Sequence, residues 1–166
     1  MGGVSDTAPD TTSSGADLMS LLSWSDRALS AELAANLADL GITPRAHRVL
    51  AKARPGELTQ SQIAEATGLD KTTMVVLTDH LEREGLAERT PSPSDRRVKI
   101  LVLTDKGRRL VRRSQEIVDR THRDVLDSLS PELRTGLVEA LTRLTTGRLS
   151  TFAPSEQPPR RRPVRP

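Results

Sequence analysis

The residues of this chain with the most chemical character are basic and hydroxylic. Arg96 and Arg97 follow Asp95 directly, and Lys71, Thr72 and Thr73 stand together earlier in the sequence. Guanidinium forks, an ammonium and hydroxyls suit phosphate oxygens and base edges. Residues 89–113 hold nine basic and two acidic side chains, whereas residues 1–88 hold seven and thirteen. The net charge of +3 therefore conceals a localised cationic stretch, which points to a polyanion contact or, in the plainer alternative, a solvated surface. Covalent and redox chemistry finds little support. With no cysteine there is no disulfide, thiolate metal site or thiol switch. His47, His80 and His122 lie far apart without ligand spacing, so no metal and no cofactor is expected. No P-loop, Gly-rich dinucleotide turn or flanked Ser/His/Asp order occurs, and no enzyme is expected. Trp24 and Phe152 are the only aromatics, which argues against a single-strand binder that stacks bases.

The elements that must position these residues follow from periodicity and caps. The polar residues 1–16 and the Pro/Arg-rich residues 150–166 read as disordered ends, leaving one folded domain over 17–149. Leu18, Leu22, Leu29, Leu33, Leu37 and Leu40 recur at helical spacing, and Gly41 stops that helix. Thr43-Pro44 opens a second helix to about Ala53. Thr59 and Gln62 form a capping-box pattern for a short helix over 60–66, with Ile63 and Ala64 inward. Gly68 turns the chain, and Asp70 caps a helix over 71–84 whose core face is Met74, Leu77 and Leu81. That pair is a helix-turn-helix. The period then changes. Leu86 to Arg89 and Val98 to Leu103 read as strands joined by the polar loop 90–97, a hairpin in the position of a wing. Thr104 caps a long helix with Val111, Val118 and Val125 at sevens, and Ser130-Pro131 opens a last one with Leu133, Leu137, Leu141 and Leu144.

This order of elements resembles the MarR (multiple-antibiotic-resistance regulator) family. The run from Asp95 through Arg97 to Leu103-Thr104 is similar to its wing pattern. Leu69 to Thr73 and Leu81 to Leu86 are similar to the two ends of its recognition helix. The resemblance spans roughly residues 17–147. It implies a mainly α fold with a small β-hairpin wing (α+β), a winged helix-turn-helix core flanked by long N- and C-terminal dimerisation helices. It also implies that Arg97 enters a minor groove and that Asp95 steadies the wing. Val75 and Val76 stand where many family members carry a polar residue and an arginine.

Turned away from the core face, Lys71, Thr72, Thr73, Val75 and Val76 would point at DNA. The valines would meet thymine methyls or, alternatively, pack under the wing or on the first helix. Thr59, Ser61 and Lys71 suit phosphate. Arg96 joins Arg97 in the wing, while Arg89 and Lys99 are phosphate contacts or solvated charges. Trp24, His47 and Arg48 would line an effector cleft for a phenolic or carboxylate ligand, or else Trp24 packs in a dimer interface. The function expected is a homodimeric, cytoplasmic, ligand-responsive repressor. It would bind a pseudo-palindromic double-stranded operator and no membrane. The alternative is a winged-helix module that docks an acidic protein.

Overall fold

The computed structural model describes residues 17–151. The segment 1–16 and all but the first two residues of the tail 150–166 lie outside the described residues. The elements are α1 (Leu18–Leu37), α2 (Pro44–Ala53), α3 (Gln60–Thr67), α4 (Lys71–Arg83), β1 (Ala87–Pro91), β2 (Lys99–Leu103), α5 (Asp105–Asp127) and α6 (Pro131–Thr146). They form two compact units, one running to Arg123 and one starting at Asp124.

Side-chain caps set most helix starts. Asp17, Thr43, Thr59, Asp70 and Ser130 each accept a hydrogen bond from a backbone N–H in the first turn that follows. At Thr59 the capping box is reciprocal, with the Gln62 side chain accepting from the Thr59 N–H at 2.8 Å. The expected first helix is corrected at its end. Its last turn, Ala38–Leu40, tightens to a 3₁₀ helix before Gly41 leaves in the left-handed conformation at φ 63°.

The first unit closes on an aliphatic core. Leu33 and Leu37 of α1, Val49 and Leu50 of α2, Ile63 of α3, Met74 and Leu81 of α4, Leu101 and Leu103 of β2, and Val111 and Val118 of α5 are all buried together. Each such side chain contributes about 1.5–3 kcal/mol by leaving water. The strands pair antiparallel from Ala87 opposite Leu103 to Pro91 opposite Lys99. They begin one residue later than the sequence suggests, because Leu86 instead continues the turn after α4, its N–H donating to the Leu81 carbonyl. A single bridge from Thr59 to Ile100, with the Leu101 N–H on the Leu58 carbonyl at 3.1 Å, ties the helix-turn-helix to the hairpin. Two polar links join α5 to the N-terminal helices: Asn36 donates to Thr121 Oγ1 at 2.9 Å, and His47 Nδ1 lies 2.8 Å from Ser114 Oγ.

In the second unit Arg134 bonds Asp127 at 2.8 Å and the Leu126 carbonyl at 3.2 Å, which folds the start of α6 onto the end of α5. Leu133, Leu137 and Leu141 are exposed, as is Val125, so these apolar positions of α5 and α6 stay uncovered among the described residues. Among the described residues no helix is long and apolar enough to cross a membrane.

Candidate nucleic-acid interface

Helix α4 is held from three sides. Gly68, in the left-handed region at φ 67°, turns the chain after α3, and the Leu69 N–H returns to the Ala64 carbonyl at 2.9 Å. Met74, Thr78 and Leu81 form its buried face; Thr78, absent from the expected core, satisfies its hydroxyl on the Met74 carbonyl at 2.8 Å. Leu77, expected with them, is half-buried. The opposite face presents Lys71, Thr72, Val75 and Val76 to solvent. Val76 is 62% exposed, so it is not packed beneath the wing. Thr73 is half-buried and donates its hydroxyl to Asp70 Oδ2 at 2.5 Å, which leaves its oxygen as an acceptor.

Asp70 also accepts from the Thr73 N–H at 2.9 Å. The Thr73 hydroxyl foremost, and then its N–H, hold the Asp70 carboxyl below its ordinary pKa. The helix therefore begins with a fixed anion on its positive end, and the free cation there is Lys71, which has no ion-pair partner among the described residues. At the start of α3, the Thr59 hydroxyl accepts from the Gln62 N–H, and Ser61 is exposed beside it.

The wing tip is built by Asp95. Its carboxylate accepts from the Arg97 N–H at 2.9 Å, its carbonyl accepts from the Val98 N–H at 2.9 Å, and Ser92 N–H closes the loop on the Val98 carbonyl at 2.8 Å. The carboxylate thus binds backbone rather than guanidinium. Arg96, Arg97 and Lys99 stay exposed, and none has an ion-pair partner among the described residues.

Arg89, unlike Arg96, Arg97 and Lys99, is held in ion pairs. From β1 its guanidinium reaches Asp79 at 2.6 Å and Glu82, both on α4, and its Nε donates to Gln60 of α3 at 3.3 Å. Glu82 additionally accepts the Arg89 N–H at 2.8 Å. One side chain thereby fastens β1, α4 and α3. Asp79 and Glu82 were missing from the sequence-based site. Their spacing of three does mark one helix face as acidic.

A cleft of about 1210 Å³ opens between α1, α2 and α4. Trp24, half-buried, and Arg48 both line it, with Arg27 and Arg45, and Asp26 is the acidic residue among the lining. His47 does not line it. It is buried away from the cleft, where Nδ1 pairs with Ser114 Oγ at 2.8 Å. Its pKa is lowered, first by burial, with Asp119 opposing and His122 and Arg48 adding to the effect. Among the described residues no group of three or more His, Asp or Glu is placed to hold a metal ion.

A helix-turn-helix with a cationic hairpin at its flank defines a winged-helix protein. Residues 40–98 match the sequence model of the MarR family. The fold is similar to that of the transcriptional repressor CouR bound to a 23-mer DNA duplex, with 33% identity, a TM-score of 0.68, and coverage of 77% of this chain and 92% of that one. It is also similar to CouR from Rhodococcus jostii RHA1 bound to p-coumaroyl-CoA (28% identity, TM-score 0.71, 85% and 99% covered). A MarR family protein of Mycobacterium tuberculosis in complex with salicylic acid gives 26% identity and a TM-score of 0.66 over 79% and 98% of the two chains. The chain belongs to the MarR family, whose fold is a mostly helical winged helix-turn-helix.

Proposed function

We propose that this protein is a homodimeric, ligand-responsive transcriptional repressor that binds a pseudo-palindromic operator in the cytoplasm and catalyses no reaction. In this reading α4 enters the major groove, where Thr72, Thr73, Val75 and Val76 meet base edges. Lys71, Thr59, Ser61 and Lys99 meet phosphates, and the wing places Arg96 and Arg97 at the adjacent minor groove. The observation that carries it is the pairing of a solvent-facing α4 with unneutralised arginines at the wing tip. The 33%-identical repressor bound to a DNA duplex supports it. Residues 17–149 carry DNA binding and dimerisation, with the exposed leucines of α6 as the apolar surface that a second copy covers. The cleft at Trp24 and Arg48 receives an aromatic acid, as the salicylic acid and p-coumaroyl-CoA held by relatives suggest.

The test is binding of the protein to duplexes from the region upstream of its gene, at two stated salt concentrations. Arg97→Ala is expected to weaken operator binding by about 1–3 kcal/mol, chiefly at A·T-rich flanks, and to lower the salt slope by about 0.9. A variant that keeps full operator affinity refutes the wing's role. If it instead loses an acidic protein partner, the winged helix is a protein-docking module.

A further inference from the structure

The outward stripe of α4 is hydrocarbon in its middle. Thr72, Val75, Val76 and Asp79 stand at the i, i+3, i+4 and i+7 positions of one helical face. Val75 is 39% exposed and Val76 62%, side by side. Guanine is read by arginine or lysine and adenine by asparagine or glutamine, and residues 72–79 contain none of the four. Their polar groups are largely committed elsewhere. Asp79 is paired with Arg89 at 2.6 Å, the Thr73 hydroxyl donates to Asp70, and the buried Thr78 hydroxyl donates to the Met74 carbonyl. What this stretch offers a base edge is chiefly methyl groups, those of Val75 and Val76 with Thr72 beside them.

We propose that Val75 and Val76 read the C5-methyl groups of adjacent pyrimidines, and that 5-methylcytosine is accepted there in place of thymine. The inference rests on the reading of α4 as the recognition helix and names what that helix selects. In the major groove the C5-methyl is the apolar feature of an unmodified base pair, and only thymine carries it. Cytosine methylated at C5 presents the same group at the same place. A valine has neither donor nor acceptor, so it does not tell the O4 of thymine from the N4 amine of cytosine. The methyl alone decides. The rise from Thr72 to Val76 is about 6 Å, the length of about two base-pair steps, so the two valines serve neighbouring pyrimidines.

The test uses full-length protein and the region of the upstream duplex that it protects. Thymines there are replaced one at a time by deoxyuridine, which deletes a single methyl and keeps the base pairing. At one or two thymines of each half-site the replacement should raise Kd about fourfold, the worth of one buried methyl. At the same positions 5-methylcytosine should bind more tightly than cytosine by about that factor. Val75→Ala and Val76→Ala close the double-mutant cycle: each should abolish the deoxyuridine penalty at its own thymine and leave the other in place. Both valines lie outside the core and alanine is the better helix former, so both variants should melt like the wild type. A duplex in which every thymine is deoxyuridine yet affinity is unchanged overturns the proposal. So does 5-methylcytosine binding no better than cytosine, or a penalty that persists in both alanine variants. Each of those outcomes leaves operator binding intact and the regulator reading standing. Failure of the wild-type protein to bind the unmodified upstream duplex would instead remove that reading, and this inference with it.

Discussion

Gly107 sits in the first turn of α5, and an alanine there should damage the fold although alanine is the better helix former. A Cβ at this position would lie 1.9 Å from the Leu86 carbonyl oxygen, 2.9 Å from its carbonyl carbon and 3.4 Å from its Cα. The oxygen must retreat by more than an ångström, and it is not free to do so. It accepts the Thr104 N–H at 3.2 Å, while the Leu86 N–H is fixed on the Leu81 carbonyl at 2.9 Å. Gly107 itself donates to the capping Thr104 hydroxyl at 3.0 Å, so α5 cannot simply slide away. Overpacking against fixed backbone costs about 3 kcal/mol or somewhat more, offset by about 1 kcal/mol of helix propensity. The net loss is about 2–3 kcal/mol, which for a domain of this size lowers Tm by roughly 8–12 °C. Gly136 is the control: it is also helical, but a Cβ there meets nothing within 4 Å. Gly136→Ala should therefore be neutral or stabilising by up to about 1 kcal/mol. Thermal unfolding followed by far-ultraviolet circular dichroism measures both. A Gly107→Ala protein that melts within about 2 °C of wild type would refute the close-approach argument.

Two further outcomes follow from the polar contacts. Burial lowers the pKa of His47 in the folded state, so between about pH 6.5 and that lower value the unfolded chain binds more protons. Stability should be complete above pH 6.5 and fall as pH drops through this window; His47→Gln, assayed by urea unfolding at several pH values, should flatten the slope, and an unchanged slope would assign it to another group. Arg89→Met should destabilise by about 1–2 kcal/mol, between the worth of surface and buried pairs, because it strands Asp79 and Glu82. Its operator binding should keep the wild-type salt slope, unlike a lost phosphate contact; a slope reduced by about 0.9 would mark Arg89 as a backbone contact after all.

What the sequence made legible was what short-range chemistry decides. Thr43-Pro44, Thr59 with Gln62, Asp70 and Ser130 announce helix starts because a cap needs only its own next turn. Met74 and Leu81 fall inward because one helical period fixes the face. Arg89 was not legible in the same way. Its partners depend on the hairpin register and on how far β1 leans over α4, and no local pattern contains either quantity. For His47 a signal was present. Ala46, Val49, Leu50 and Ala53 define a buried arc of α2 that position 47 borders, whereas Arg48 falls opposite it. The ring is buried with the core, and Ser114 supplies the hydrogen-bond partner that makes burial tolerable.

Gly107, Ser114 and Thr121 carry a related message. They stand at sevens along α5, all buried, alternating with Val111 and Val118. Small side chains at that spacing bring a helix close to its neighbours, and the hydroxyls then bridge to His47 and Asn36. The valine heptad shows the complementary limit. Val111 and Val118 are buried while Val125 is exposed, with the same residue type at the same interval. Periodicity specifies which side of a helix is apolar, and the element lying across from it determines whether that side becomes core. Among the described residues, the stripe of Leu133, Leu137 and Leu141 on α6 has no such element within its own unit. Amphipathic order maintained through Leu144 on a helix with no buried residue among the described ones leaves the apolar face that the proposed second copy would cover.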